Sequence, residues 1–348
     1  MLTRTPSSTA SAPPLKEKPG KADRFWRRFV AVLLALATAL TMSYAAVGIN
    51  IATRLEVMGR TPIYATPASL GLQYKDVTFP SRGDSLQLKG WFIPGVLPNG
   101  HLTTQRTIIM LHGTETNRAD KDAGILNLSG DLARRGFAIL AFDLRGAGES
   151  ADAPRSLGDL EQRDALGVVD FLRSGPLPFP ELGRPHAIAG WGLSLGGATL
   201  IMAAAKEPAI QAIVSDSSYA DILPRLERDI PKRGDLPPMF TPGGLVAYQA
   251  LYGVDFYHTS PVAVIASIAP RPILLIHGAN DNKTHKDTPP SDMYTLAAAA
   301  LSAPNANVQT WLVPGATHAQ SYNVEGKVYV DRLVAFYTAA LGPDTSGS

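Results

Sequence analysis

A serine with glycines two residues away on either side is the feature that most constrains the fold of this chain. Ser194 lies in the middle of the sequence Gly-Leu-Ser-Leu-Gly at 192–196. Residues His186–Gly190 predict a buried strand before it, and Gly197–Ala205 predict a helix after it. So tight a turn leaves no room for larger side chains at the two glycine positions. The pattern is typical of a nucleophile elbow, whose helix points its positive end at the serine. The alternative is an ordinary helix N-terminus with a serine near its cap, because glycine is frequent here.

Apolar strands alternate with helices over most of the chain. This alternation predicts an α/β fold with a mainly parallel central sheet and helices on both faces. Two strands, Val77–Pro80 and Leu86–Phe92, form a predicted hairpin that precedes the alternation. The other predicted elements are the strands Thr107–Leu111, Ala138–Phe142, His186–Gly190, Ala212–Val214, Pro272–Ile276 and Val308–Val313, and the helices Asp122–Arg135, Leu157–Leu172, Gly197–Ala205, Ser291–Leu301 and Glu325–Leu341.

One segment, 221–266, breaks this alternation. It is rich in proline and aromatic residues and has no strand pattern. A long insertion of this kind beside a site is often a lid, and a packed surface subdomain without a substrate role is the alternative. We therefore predict a main domain over 72–342 that contains this lid-like insertion, a neck over 54–71, and a disordered tail over 343–348.

The charge of the chain is unevenly placed. The net charge is +2, but seven basic and two acidic residues give segment 1–28 a charge of +5 and leave about −3 for the rest. A slightly acidic folded part argues against nucleic acid as a partner. The chain has no cysteine, which excludes disulfides and cysteine-based catalysis or metal binding. Hydrophobic residues make up 45% of the chain, enough for a sizeable core.

An uncharged run of 25 residues, from Phe29 to Thr53, follows the basic N-terminal segment. As a helix it spans about 37 Å, enough to cross a hydrocarbon core of about 30 Å. Because Arg27 and Arg28 precede it, we expect a cytoplasmic N-terminus and an exported main domain. We favour an uncleaved single-pass anchor over 29–53, behind a disordered segment over 1–28. The alternative is a signal peptide cleaved after Ala45, which gives a secreted protein.

A serine hydroxyl needs a base to act as a nucleophile, usually a histidine that a carboxylate orients. His318 follows a predicted strand, so it belongs to the loops at the carboxyl ends of the strands, where active groups gather in open α/β sheets. Asp281 follows another strand and is the favoured carboxylate, and Asp216 is its competitor, with a turn cap as its other reading. Glycine follows both His112 and His277, which favours backbone roles there. The remaining histidines have no strong context and are His101, His186, His258 and His285.

An oxyanion in an acyl-transfer intermediate needs two N–H donors. The backbone amide of Leu195, directly after the serine, is the first candidate. The second is the amide of Thr114, because Gly113 lets the loop after strand Thr107–Leu111 turn inward. Glu115 beside it is either an exposed loop charge or a group near a substrate cation. The loop 143–150 is rich in glycine but lacks the spacing of a dinucleotide fingerprint, so Asp143 and Arg145 are predicted to hold neighbouring segments together.

Five ordered motifs together resemble the α/β-hydrolase superfamily. They are LHG at 111–113, FDLRGAGES at 142–150, GLSLGG at 192–197, ILLIHGANDN at 273–282 and GATH at 315–318. Within the superfamily, the chain is similar to membrane-tethered serine hydrolases of the serine aminopeptidase-like and Bem-type groups, over about residues 72–342. The resemblance implies an α/β-hydrolase fold, a triad of Ser194, His318 and Asp281 in that family's Ser-Asp-His order along the chain, and acyl transfer to water. One departure is 282–285, where many relatives have Val-Pro and this chain has Asn-Lys-Thr-His.

The function expected from these residues is hydrolysis of acyl esters by a carboxylesterase or lipase-like enzyme, on a small or lipid-derived acyl substrate. A serine peptidase is the main alternative, and it would need a clamp for a peptide terminus that the sequence does not reveal. A non-catalytic binding protein on the same fold is a further alternative, although all residue types of a triad are present. No metal or organic cofactor is implied. No substrate-binding residue and no oligomeric state can be assigned from the sequence.

Overall fold

An eight-stranded sheet forms the centre of the computed structural model, which describes residues 20–56, 59–281 and 289–344. The strand order is β1-β2-β6-β5-β7-β8-β9-β10, and the pairs β1–β2 and β2–β6 are antiparallel whereas the other neighbours are parallel. The short strands β3 and β4 pair separately. The predicted mainly parallel sheet is confirmed. The strands are β1 Lys75–Pro80, β2 Gln87–Ile93, β3 Gly95–Val96, β4 Leu102–Thr103, β5 Arg106–Leu111, β6 Ala138–Phe142, β7 Ala187–Leu193, β8 Ile210–Asp216, β9 Ile273–Gly278 and β10 Val308–Val313.

Helices cover both faces of the sheet, because its inner strands are apolar on both sides. Helices α3, α4 and α8 contribute to one buried apolar cluster, and α2 and α10 to another. The helices are α1 Lys21–Glu56, α2 Ile125–Ala133, α3 Glu161–Ser174, α4 Leu195–Lys206, α5 Ile222–Gly234, α6 Thr241–Tyr252, α7 Pro261–Val264, α8 Pro290–Leu301, α9 Ser321–Glu325 and α10 Lys327–Leu341.

Three predicted helices differ in their bounds because the backbone turns left-handed where the periodic pattern continues. Helix α2 begins only after Gly124, with φ of 70°. Helix α3 begins at Glu161, since Leu157 and Gly158 have positive φ and the Glu161 carboxylate accepts the Gly158 N–H at 2.7 Å. The predicted helix Glu325–Leu341 is divided at Gly326, with φ of 51°. Hydrophobic spacing alone does not mark these breaks.

Helix α1 extends beyond both ends of the predicted anchor. The chain divides into two units, Met1–Val47 and Gly48–Ser348, and α1 contributes to both. The helix begins at Lys21, so residues 21–28, predicted to be disordered, are helical, with Asp23 in the first turn where a carboxylate favours the helix N-terminus. Residues 1–19 and 345–348, the rest of the segments predicted to be disordered, lie outside the described residues. Among the described residues, one helix (Lys21–Leu55) is long and apolar enough to cross a membrane, and an 18-residue stretch within it has a mean hydropathy of 2.1.

Within the second unit, the last turns of α1 pack on the insertion. Ile51 and Ala52 are buried. A methyl group added at Gly48 would lie 2.6 Å from the carbonyl oxygen of Gly243, and one added at Gly244 would lie 2.5 Å from the Ile51 side chain. These glycines therefore allow α1 and α6 to approach closely. The insertion is helical, formed by α5, α6 and α7, in agreement with its lack of a strand pattern.

Two arginines hold the loop after β6. Arg118 donates from its backbone N–H to Asp143 at 2.8 Å, and its guanidinium pairs with the same carboxylate and lies 4.3 Å above the Trp91 ring. Arg145 pairs with Asp164 at 2.6 Å, and both side chains are almost fully buried. Arg145 also contacts Ser81 and Asp84, each at 2.9 Å. The loop 143–150 thus joins neighbouring segments, as its sequence predicts.

We expect Arg145→Met to lower the free energy of unfolding by about 3–5 kcal/mol, because it leaves the buried Asp164 carboxylate without its cation. Burial raises the pKa of Asp164 to about 6, and Arg145 acts against that rise. Once the arginine is removed, the folded state favours the protonated acid, so the loss should be larger at about pH 8 than at about pH 5. Denaturant titration of the full chain in detergent measures both values.

Arg163→Ala is the matched control, because Arg163 is half exposed and lies 3.7 Å from Asp84. An exposed ion pair contributes about 1 kcal/mol or less. Equal losses in the two variants would show that the buried pair has no special part in stability.

Candidate active site

Ser194 lies on a strained turn between β7 and α4. Its φ of 52° and ψ of −115° are unusual for a residue with a side chain, and its backbone N–H donates to the Asp216 carbonyl at 2.7 Å. A methyl group at Gly192 would lie 2.4 Å from the Gly196 carbonyl oxygen, and one at Gly196 would lie 2.3 Å from the Leu111 carbonyl oxygen. Both positions therefore require glycine, for the steric reason that the sequence indicates.

The structure brings His318 and Asp281 to this serine. The Ser194 Oγ lies 3.0 Å from His318 Nε2. The other ring nitrogen, His318 Nδ1, lies 2.9 Å from Asp281 Oδ2. Asp281 is fully buried, and the His318 side chain is 14% exposed. These distances suit a serine whose proton a histidine accepts while a carboxylate orients the ring.

Asp216, the competing carboxylate, faces a different set of groups. It accepts hydrogen bonds from three hydroxyls, those of Ser217 at 2.9 Å, Ser321 at 3.1 Å and Tyr329 at 2.9 Å. Burial raises the pKa of Asp216, and the hydroxyl from Ser217 opposes that rise. The Ser217 hydroxyl in turn accepts the N–H of Ala319, directly after His318, at 3.2 Å. Asp216 thus supports the loop of His318, whereas Asp281 contacts the ring itself.

Two histidines were predicted to have backbone roles, and the structure shows side-chain roles for both. His277 Nε2 lies 3.0 Å from Asp281 Oδ2, so this carboxylate contacts two imidazoles. Burial lowers the pKa of His112, whose Nε2 accepts the Leu144 N–H at 3.0 Å. The His112 Nδ1–H is then left to donate to the Gly113 carbonyl at 2.7 Å. The contact between His277 and Asp281 could have been predicted from their spacing of four residues in the sequence HGAND.

The two predicted amide donors belong to segments that adjoin the serine. Leu195 is the first residue of α4, and the first N–H groups of a helix have no acceptor within it. Thr114 lies in the loop after β5, where a methyl group added at Gly113 would be 3.6 Å from Ser194 Cβ. The loop therefore runs beside the serine, and the hydrogen bond from His112 Nδ1–H to the Gly113 carbonyl lies at its start.

A cavity of about 880 Å³ contains Ser194 and His318 in its wall. Part of the lining is apolar or aromatic. It comes from α5 and from three residues outside that helix: Ile222, Leu226 and Ile230 on α5, and Leu157, Leu193 and Tyr219. Another part is polar or charged: Glu115, Asp120, Lys121, Asp122, Arg225 and Asp229. Since α5 belongs to the segment 221–266, the predicted lid-like insertion lines the cavity. The segment 282–285, where the sequence departs from its relatives, and with it His285, lies outside the described residues.

The chain is similar to one peptidase family model and to solved structures of known hydrolases. The family model for X-Pro dipeptidyl-peptidase (S15 family) matches residues 66–227. An esterase from Pyrococcus furiosus has a TM-score of 0.63 at 23% identity, over 82% of this chain and 100% of that chain. The chain has the α/β-hydrolase fold, and the family-model match and the structural neighbours support its membership of that superfamily. The α/β-hydrolase fold expected from the sequence is confirmed.

Two further proteins are similar to this chain over about three quarters of its length. The uncharacterized protein YfhR of Escherichia coli K12 is 28% identical over 267 residues, which cover 75% of this chain and 79% of that protein. A puromycin-hydrolyzing peptidase from Mycobacterium tuberculosis has a TM-score of 0.58 at 19% identity, over 78% of this chain and 40% of that chain. The family model and these neighbours together support a hydrolase, with esterases and peptidases both among the similar folds.

We expect His277→Leu to slow the reaction of Ser194 with a fluorophosphonate about tenfold, because Asp281 loses one of its two imidazole contacts and holds His318 less firmly. His277→Gln should retain most of the rate, since its amide nitrogen can occupy the place of Nε2. The labelling rate of the full chain in detergent measures both variants. Equal rates in wild type and His277→Leu would show that the contact has no effect on the serine.

Proposed function

We propose that this α/β hydrolase is a serine hydrolase that cleaves acyl esters through an acyl-enzyme intermediate. The observation that carries the proposal is the continuous series of contacts from Ser194 Oγ to His318 Nε2 at 3.0 Å and from His318 Nδ1 to Asp281 at 2.9 Å, beside a cavity. In this proposal Ser194 is the nucleophile, His318 the base and Asp281 the orienting carboxylate.

The proposed reaction has two stages. His318 Nε2 accepts the Ser194 proton while Oγ attacks the ester carbonyl, and the N–H groups of Leu195 and Thr114 stabilise the oxyanion. His318 then gives the proton to the leaving alcohol. A water molecule, deprotonated by the same histidine, attacks the acyl-enzyme and releases the acid. Asp281 stays ionised throughout and stabilises the imidazolium that forms in each stage.

The apolar part of the cavity supports an acyl substrate. Ile222, Leu226 and Ile230 are four residues apart on α5, so they share one helix face, and this face lines the cavity. An acyl chain against such a face loses contact with water, which favours binding in proportion to the apolar area buried. We therefore propose a carboxylesterase or lipase-like activity.

A serine peptidase is the second candidate, and the charged part of the cavity favours it. Glu115, Asp120 and Asp122 are carboxylates close together in sequence that line the cavity. Carboxylates near a serine nucleophile suit the ammonium group at a peptide N-terminus. The match to the X-Pro dipeptidyl-peptidase model over 66–227 supports the same candidate.

Ser194→Ala should abolish labelling of the chain by a fluorophosphonate and lower hydrolysis of p-nitrophenyl acyl esters at least about a thousandfold, because it removes the hydroxyl proposed to accept the acyl group. Labelling followed by peptide mapping tests the first point, and initial rates test the second. Labelling that persists in the variant would place the nucleophile elsewhere.

One panel of substrates distinguishes the two candidate substrate classes, acyl esters and peptides. The wild-type chain is assayed on p-nitrophenyl esters of increasing acyl length and on aminoacyl-nitroanilides. Higher kcat/KM on the esters supports the esterase. Higher kcat/KM on the nitroanilides, together with a loss on Asp120→Asn that ester hydrolysis does not share, supports the peptidase.

We also propose that α1 is a single-pass membrane anchor, with the N-terminus in the cytoplasm and the hydrolase unit on the exported side. Within α1, the uncharged run from Phe29 to Thr53 follows the basic segment that ends at Arg28. The full chain should then remain in the membrane pellet after carbonate extraction. Recovery of a soluble form that begins near Ala46 would show instead that the helix is a cleaved signal sequence.

A further inference from the structure

Residues Gly59–Tyr64 of the predicted neck, which are called the neck from here on, form part of the cavity wall. Thr61, Pro62 and Tyr64 line the cavity together with Leu55 from the end of α1. This segment precedes residues 66–227 that match the peptidase family model, and it precedes the main domain predicted from the sequence.

The neck is hydrogen-bonded to the loop that carries Thr114. The Thr61 hydroxyl donates to the Glu115 carbonyl at 2.7 Å. In the other direction, the Asn117 side-chain amide donates to the carbonyl of Thr61 at 2.7 Å and to that of Pro62 at 3.2 Å. Asn117 is 1% exposed, so the donor of the last two bonds is shielded from water. The neck and this loop therefore hold each other in place.

A second set of bonds fixes the neck to the loop after β6. The Arg60 guanidinium donates to the carbonyls of Gly148 and Ser150, each at 2.7 Å, and to that of Ala147 at 3.3 Å. It also pairs with Asp152. The neck thus bridges the loops that follow β5 and β6, both at the carboxyl edge of the sheet.

Tyr64 offers an aromatic surface at the cavity. Its side chain is about half exposed, with a fractional exposure of 48%, so a bound molecule can cover more of the ring. Partial burial and the charge of Asp120 raise the pKa of its phenol, so the ring is neutral and suits an apolar ligand. Pro62 and Leu55 extend the same wall without adding charge.

We infer that the neck is part of the substrate site of this hydrolase. Tyr64 and Pro62 contact the chain of a medium or long acyl substrate, and Thr61 is a positioning residue that holds the loop of Thr114. The inference rests on the serine-hydrolase function proposed above. It predicts two separable effects, one on the preference for chain length and one on the reactivity of Ser194.

Ethyl and decyl fluorophosphonates test the contact with the chain without requiring ester turnover. In each case the Ser194 Oγ–P bond forms, the P–F bond breaks with departure of fluoride, and the hydroxyl proton passes to His318. Tyr64→Ala in the full chain in detergent should lower the ratio of decyl to ethyl labelling rates about fivefold, because the decyl chain loses an apolar contact. Tyr64→Phe should keep the wild-type ratio.

Tyr294→Ala is the matched control, since Tyr294 is 52% exposed and lies on α8, outside the cavity lining. It should leave the ratio unchanged. An unchanged ratio in Tyr64→Ala, or an equal loss of both rates, would overturn the proposed contact. A ratio is independent of the fraction of folded protein, so loss of stability alone cannot imitate the expected result.

Thr61→Val tests the positioning role. It removes the hydroxyl that donates to Glu115 and should lower both labelling rates about fivefold at an unchanged decyl-to-ethyl ratio. Thr61→Ser should restore both rates, since it keeps the hydroxyl. Wild-type rates in Thr61→Val, or a Thr61→Ser variant as slow as Thr61→Val, would overturn this role.

Labelling of the wild-type chain distinguishes an error in the proposed serine hydrolase from an error in the inference about the neck. If neither probe labels Ser194 in the wild-type chain, the proposed serine hydrolase is wrong. If both probes label Ser194 and the neck variants behave as wild type, only the inference about the neck is wrong.

Discussion

Close backbone contact between neighbouring strand ends is the constraint on which the site depends. The turn at Ser194 fits only because Gly192 and Gly196 allow backbone atoms to approach where any side chain would collide. The same approach brings the end of β5 beside the serine, and with it the loop that contains Gly113 and Thr114. One steric condition therefore sets both the conformation of the serine turn and the position of the Gly113 loop beside it.

Two buried carboxylates fix the position of His318 through different contacts. Asp281 contacts the imidazole, and Asp216 holds the following residue through the Ser217 hydroxyl. His277 adds a second contact to Asp281. A buried carboxylate with several hydrogen-bond donors has few alternative orientations, because any rotation leaves a donor unsatisfied. The ring of His318 is thus fixed from two directions.

Local patterns in the sequence predict much of this structure. Apolar runs place the eight strands of the main sheet, and the glycine spacing around Ser194 predicts the elbow. The order of Asp281 and His318 after strands predicts their convergence, since parallel strands end at the same edge. The missed features depend on contacts between distant residues or on left-handed backbone. Left-handed backbone at Gly124 and Gly158 delays the starts of two helices, and at Gly326 it divides a third, although the hydrophobic pattern continues through each. The neck has no periodic pattern, and its partners lie more than 50 residues away.

The helix α1 has two parts with different surroundings. Its last turns, from Gly48, belong to the hydrolase unit and pack on α6, whereas the preceding residues form a unit of their own. A polypeptide that starts near Ala46 would keep every residue of the hydrolase unit, including the neck. One that starts at residue 72 would lose the helix that α6 packs against. The N-terminal boundary of the hydrolase unit is therefore set by the glycine contact between α1 and α6 rather than by the first strand of the sheet.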